Sequence, residues 1–419
     1  MMSLLRKLWQ NKRGNALVIA GAALPLVIGS AGLASDTVQW TLWKRQLQKA
    51  ADSAAIAGVY AKVQGQDVTS AVNTDLAKNQ DTGIALISGY PVISATTATN
   101  TTNGTNVTLA IQKSLSFSGM FMSSAPVILA SANAATVQTG VYCAISLVNT
   151  NTTGITATGN SDLNLGCGMI TNSTSLNAAI ATGSSEVTAS PIAAVGDIQA
   201  SDHWNGAELL PFTVAEADPF ASLDPPTFTS CQGGSNALSV NSNQSLDRST
   251  DTGTVCFSSM NLKGDVKLGS ATYVIDGGDV SFGAQAKVSC TGCTIVLTNS
   301  GSGSTATIGT VDMNGGAEVK MSAPTNTSNP YHDILFYQDR RASSSVSVHI
   351  NGNSDSLMKG AFYFPKQTLD INGTANLKFS CAQFVSYILN FSGNGTITNT
   401  CPGGYGSQTI MGQHVRLIG

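Results

Sequence analysis

A glycine followed four residues later by Leu, Ile or Val recurs through the later part of the chain. The copies read TGNSDLNL, TGSSEVTA, NGGAEVKM, NGTANLKF and SGNGTITN, with their glycines at Gly159, Gly183, Gly315, Gly373 and Gly393. A sixth copy, INGNSDSL at Gly352, has one extra residue before Leu357. Copies lie 24 residues apart (159 to 183), 21 (352 to 373) and 20 (373 to 393). A glycine turn and a short β-branched run at this period suit one turn of a parallel β-helix. One such turn cannot bury its inner face alone. Stacking turns about 4.8 Å apart closes the hydrogen-bond ladders and builds a shared core. Roughly 240–260 residues in turns of about 22 give roughly 11 turns, and a solenoid on the order of 50 Å long.

The repeat explains an odd composition. Charged residues make up only 11% of the 419, and net charge is −3. In a stacked solenoid the same position recurs directly above itself. Like charges there repel, whereas Asn, Ser and Thr can form hydrogen-bonded ladders. No basic tract follows the N-terminus, so nucleic acid is not an expected partner.

Eight cysteines all lie beyond residue 140. The four histidines are scattered, so zinc spacing is absent. Two readings stand, disulfides in an oxidising compartment or buried free thiols, and the even number favours disulfides. Cys381 and Cys401 each fall eight residues after a repeat glycine, which places them at equivalent points of adjacent turns. Their Cα atoms should lie about 5 Å apart, within disulfide range. Cys143 precedes Cys167 by 24 residues, the local repeat length, so the same logic pairs them. Cys231 and Cys256 follow by elimination, tying down the loop HWNGAELLPFTVAEADPFASLDPPTFTSC. Cys290 and Cys293 form a CxxC, read as a structural loop rather than a redox motif because no thioredoxin-like context surrounds it.

From Ala16 to Ala34 the chain runs 19 residues without a charge. As a helix this spans roughly 28 Å, close to the hydrocarbon thickness of a bilayer. Pro25 sits mid-span. Arg6, Lys7, Lys12 and Arg13 precede the run and Asp36 is the first charge after it. This asymmetry places the N-terminus in the cytoplasm and the remainder outside. A signal peptide cut after Ala34 and a buried core helix are the rivals. The run exceeds the usual signal h-region of about 7–15 residues. Val38, Leu42, Leu47, Ala50, Ala51, Ala54, Ala55 and Ala57 continue the helical period, with Trp40 and Trp43 near the expected interface.

Between residues 64 and 140 a small α/β module is expected. Pro91–Ala95, Asn106–Ile111 and Val127–Val137 read as strands, Phe117–Met122 as a short helical or turn segment, and residues 96–106 as a polar turn.

The N-terminal stretch resembles the TadE/TadG-like Flp pilus-assembly proteins. The resemblance rests on Arg13, Gly14 and Asn15, then Leu24 and Pro25 within the apolar span, then Gly32, Leu33, Ala34 and Asp36. Trp40 or Trp43, Leu47, Gln48, Ala50, Ala51, Asp52, Ala54 and Ala55 complete it. Pilins of this system carry a Glu five residues after a Gly, read by a prepilin peptidase; here the fifth residue after Gly14 is Ile19. The resemblance therefore implies an uncleaved, membrane-held assembly component. DPFASLDPP, ATYVIDGGDVSF, GCTIVLTNSG, YHDILFYQDRR, LMKGAFYFPKQTLDINGTA and CAQFVSYILNFSGNGTITNTC look like the C-terminal halves of many TadG-like proteins. The DxSxS metal site of some relatives does not occur.

Parallel β-helices also serve as polysaccharide lyases and hydrolases, which need carboxylates converging on one face. The candidates are Asp265, Asp276, Asp279, Asp312, Asp333 and Asp339 with Arg340 and Arg341. In YHDILFYQDRR the plainer reading packs Ile334 and Phe336 inward and pairs Asp339 with the arginines on a turn. Asp276 and Asp279 read as turn residues. No P-loop, GxSxG, HExxH or Rossmann pattern occurs.

The expected fold is mainly β: an N-terminal transmembrane and amphipathic helix, a small α/β module, then a right-handed parallel β-helix. The expected segments are 1–15 cytoplasmic, 16–34 transmembrane, 35–63 amphipathic extension, 64–140 module, 141–405 β-helix and 406–419 a terminal strand or tail. The expected role is a structural, non-catalytic part of a Flp/Tad-type pilus-assembly or secretion apparatus. It would sit in a bacterial inner membrane with its bulk in the periplasm. Membrane and other pilus-assembly proteins are the expected partners, with no cofactor, metal or small-molecule substrate. A membrane-tethered carbohydrate-active enzyme and a secreted adhesin are the alternatives.

Overall fold

A computed structural model of the chain describes residues 12–79, 85–96, 101–231, 236–301, 303, 306–373, 376–402, 404 and 409–418, excluding the side chains of 12–17 and 79. The protein is mainly β, with a long N-terminal apolar helix and a large parallel sheet wound as a solenoid. It divides into two compact units, residues 1–137 with 415–419, and residues 138–414.

In the first unit one continuous helix runs Lys12–Val63, and a second runs Val68–Asn79. Strands Val92–Ala95 and Thr101–Gln112 and the first part of Val127–Ser146 pair antiparallel. The polar-turn expectation for residues 96–106 is corrected. Thr101–Asn106 is strand, and residues 97–100 lie outside the described set. Cross-strand polar pairs make that strand tenable: Thr102 with Thr136 at 2.7 Å, and Asn106 Nδ2 with Asn133 Oδ1 at 2.8 Å. The later half of the long helix lies on this sheet through Leu47, Ala51, Ala54, Ala55 and Val59, all fully buried. Small residues permit the close approach. A Cβ on Gly58 would meet Thr105 Cγ2 at 2.9 Å and Val72 Cγ2 at 3.2 Å.

The second unit is a three-sided parallel solenoid. On the second side Leu246, Val266, Val288 and Val319 stack in register, as do Leu377, Ile397, Leu163 and Val187. Each buried aliphatic side chain contributes about 1.5–3 kcal/mol relative to exposure. The extra residue in the copy at Gly352 shifts its aliphatic side chain. The register Lys320↔Leu357↔Lys378 leaves Leu357 outside, 48% exposed, and gives the inward place to Ser356. The Ser356 hydroxyl accepts from Val319 N at 3.0 Å and donates to Ala317 O at 3.1 Å, so the buried polar group is satisfied.

The order of the turns does not follow the order of the chain. From one end, the third side stacks Gly253–Phe257, Ala271–Asp276, Thr294–Thr298, Ile334–Gln338, Ala361–Tyr363 and then 383–386. The next strand is not C-terminal but Ala144–Ser146, followed by Gly168–Thr171, Ile192–Ala194 and Leu209–Leu210. One turn is therefore a hybrid. Residues 389–391 and 396–398 lie against Ile155–Ala157 and Asp162–Asn164, while its third side is supplied by Ala144–Ser146. Gly159 packs so closely on Gly393 that a Cβ would come within 2.6 Å of its carbonyl oxygen, and Gly183 stands likewise over Gly159 at 2.8 Å.

Disulfides flank the hybrid turn. Cys381–Cys401 and Cys143–Cys167 have Cα separations of 4.3 and 5.8 Å. Asn399 bridges the corner between them, bonding Ala382 N and O at 3.0 Å each. Cys231–Cys256 and Cys290–Cys293 complete the set.

Because the N-terminal turns end at one end of the stack and the next turn begins at the other, the chain must travel back. Residues 211–231 do so as an external strap. The loop expected from His203 onward is thus two things. Trp204 is buried against the last turn, bridging to Val187, and Leu209–Leu210 is a strand of the stack. The strap itself starts only after Leu210. Under it the third side is buried on both faces, so its strands TIVLT and ILFYQ are buried at every position and mostly apolar, without alternation. Phe336, Phe362 and Phe384 belong to the inner core, whereas Ile334, Tyr337, Tyr363 and Val385 belong to the outer cluster with Phe220. Ile334 was expected to point inward; a register shift between Ile334 and Phe336 turns it to the strap side.

Candidate membrane-anchoring site

The long helix has two characters. Its first part is apolar and uncovered: Val18, Ile19, Leu24, Leu26, Val27, Ile28 and Leu33 are all exposed, and Pro25 lies within the helix. Arg13, Gly14 and Asn15 lie on the helix backbone, with side chains outside the described set. The helix is long and apolar enough to cross a bilayer.

At the end of the apolar run the helix forms a notch. Asp36 is buried, its two carboxylate oxygens accepting the backbone N–H groups of Phe117 (2.9 Å) and Ser118. These donors stand at the start of the 3₁₀ turn Ser118–Met120, so a carboxylate caps it. One turn earlier, a Cβ on Gly32 would overlap the Phe117 ring. Glycine is thus the residue that lets Phe117 lie on the helix, and Asp36 fixes the backbone beside it. Ser116 Oγ donates to Gln39 Oε1 at 3.1 Å. Further along, Lys113 Nζ sits 5.4 Å from the Trp43 ring centroid, a cation–π contact. Trp40 is exposed. Gln48 Nε2 donates to Ser131 O at 3.0 Å, and Lys44 Nζ donates to Leu129 O. Reading the sequence singled out Asp36, Trp40 and Trp43 but missed Phe117 and Lys113. The signal available was FSGMFM, a run of large apolar residues within the uncharged segment 114–125.

In the solenoid, the residues weighed for catalysis have structural partners. Asp276 accepts from Cys231 N at 3.0 Å and Ser300 N at 2.7 Å. Asp339 accepts from Thr298 Oγ1 at 2.8 Å and pairs with Arg341 at 2.7 Å. Burial pushes the Asp339 carboxyl up, but the Arg341 and Thr298 hydrogen bonds outweigh this and hold it below its ordinary value. Arg340 reaches the strap, donating to Phe220 O and Tyr363 Oη and pairing with Asp224. Asp279 accepts from Thr310 N at 2.8 Å. Asp265 stands beside Lys287, itself beside Glu318, in an outward ladder of alternating sign. Asp312 lies beside His349, and His349 beside Asp370, on the first side. Asp333 adopts a left-handed backbone (φ 61°) at the register shift. The structure places Asp276 and Asp339 under the strap on the turns either side of Thr294–Thr298, and leaves Asp265 and Asp312 on other sides.

No curated protein and no solved structure matches this chain. Residues 14–63 match a family model described as "Putative Flp pilus-assembly TadE/G-like". The matched segment holds the apolar run, the Gly32–Asp36 notch and the small-residue face that lies on the sheet, so the likeness to TadE/G-like proteins falls on the long helix.

Proposed function

We propose that the protein is a membrane-anchored structural component of a Flp/Tad-type pilus-assembly or secretion apparatus, without catalytic activity. The observation that carries this reading is one helix in which an exposed apolar span and a pilus-assembly family match coincide. The span crosses a bacterial inner membrane once, with Arg13 on the cytoplasmic side and the solenoid in the periplasm, where its four disulfides persist. Its partners are other pilus-assembly proteins, met through the helix and the solenoid sides.

Deleting residues 1–34 from the full chain tests the anchor. Fractionation should recover the shortened protein, exported on a cleavable signal, in the soluble periplasmic fraction. Recovery with the membranes would refute the reading.

A further inference from the structure

The segment Phe117–Met122 is an apolar loop held against the helix at the height where the apolar run ends. Met120 and Phe121 are 71% and 75% exposed, and Met122 is exposed as well. Residues 114–125 carry no charge. Isolated exposed apolar residues are ordinary, but three large ones in a row beside an uncovered apolar helix, with the half-buried Phe117 joining them to it, form a continuous surface. The loop is not free to fold back. Asp36 holds its backbone, Gly32 receives the Phe117 ring, and the Phe117 and Phe121 rings lie 5.4 Å apart.

We propose that this loop is a second membrane element, a wedge that enters the leaflet from which the helix emerges. The inference rests on the anchor reading, and lipid is the occupant because the loop continues the surface of the span itself. Gly32 lies two residues before the end of the uncharged run, which is about 3 Å along a helix axis. Phe117 is therefore level with the outer edge of the hydrocarbon. Trp43 with Lys113 on its ring lies farther along the helix, as an interfacial aromatic and a cation do at headgroup depth. A side-inserted loop fixes what one helix alone leaves open, namely the rotation and tilt of the span.

The test uses the full chain in phosphatidylcholine vesicles, with an environment-sensitive fluorophore on one introduced cysteine at a time: Phe121→Cys, Met120→Cys, Leu26→Cys or Gln66→Cys. Nitroxide lipids quench from either a headgroup-proximal or a chain-end position. Labels at 120 and 121 should be blue-shifted and quenched more by the shallow nitroxide, the label at 26 more by the deep one, and the label at 66 by neither. If 26 is quenched while 120 and 121 are not, water or a protein surface covers the loop and the wedge is refuted with the anchor intact. If 26 is unquenched, the anchor itself fails. If 66 is quenched as strongly as 121, the chain adsorbs without orientation and the wedge is likewise refuted.

Discussion

Ser146 donates its hydroxyl to the carbonyl of Tyr387, 241 residues further along the chain, at 2.9 Å. The bond lies in the hybrid turn, where the opening strand of the solenoid supplies the side that the C-terminal strands leave empty. In space the turns run from residue 238 to 400 and then from 144 to 210. The solenoid is thus a circular permutation of a sequential one, with the strap as its return path.

A hybrid turn makes the two halves stand or fall together. Phe384 pairs with Ala144 on one side and Phe362 on the other. Replacing it, Phe384→Ala, should cost about 3–5 kcal/mol by leaving a cavity. Amide exchange should speed up in residues 142–171 as well as in 357–391. Loosening confined to the C-terminal turns would show that the halves are independent.

The strap is held by tyrosine hydroxyls. Tyr337 and Tyr331 donate to Leu223 O and Asp224 O at 2.6 Å each, and Tyr363 to Asp218 at 2.7 Å. Their phenols are shifted upward, chiefly by burial. Tyr363→Phe should cost about 1–2 kcal/mol, since the bond it removes is to a charged group, while Asp218 keeps Phe220 N and Arg340 as partners. Limited proteolysis should then cut within residues 213–230 faster, with the turns still resistant.

Glu216 gives the strap a pH dependence. Its backbone is fixed by Asn172, which donates Nδ2 to its carbonyl and accepts its N–H, both at 2.8 Å. Burial raises its carboxyl from 4.5 to about 7. The folded state therefore holds a proton that the unfolded state has lost, and the stabilising effect is full below pH 4.5 and lost as pH rises through about 7. Allowing for partial exposure, the cost at high pH is on the order of 2 kcal/mol. Glu216→Gln should remove this term, so that its melting temperature exceeds that of the parent at pH 8 and converges with it at pH 4.5. An equal difference at both values would exclude the assignment.

The notch predicts two unlike outcomes. Gly32→Leu should displace the Phe117 ring while leaving the apolar span intact, so membrane fractionation is unchanged and protease sensitivity at 114–125 rises. Asp36→Ala removes the acceptor for two backbone N–H groups and should destabilise the loop. Asp36→Asn, which retains one acceptor oxygen, should lose less. Hydrogen exchange at Phe117 and Ser118 measures both.

Much of the architecture was legible where a residue's neighbours in sequence dictate its environment. Val266, Val288 and Val319 alternate with polar residues because one face of their side is wet. The Cys381–Cys401 pair could be read because adjacent turns repeat the same position. The copy at Gly352 does not show which residue turns inward, because a bonded hydroxyl fits the place that an aliphatic residue takes in the other copies, and Ser356 fills it. Arg340 was read on a turn with Asp339, but only the folded strap shows that it grips Phe220 and Asp224.

The sequence by itself determined that there would be an apolar helix, a stack of parallel turns and pairs of cysteines, because each follows from local hydrophobicity or from a period. Tertiary structure alone decided which turn sits on which. Apart from the copy at Gly352, the copies of the repeat offer nearly the same edge and the same aliphatic inner face, so the period is silent about order. The order was set by contacts a repeat does not encode: Phe384 against Ala144, Asn399 at the seam, and a strap long enough to run back along the stack.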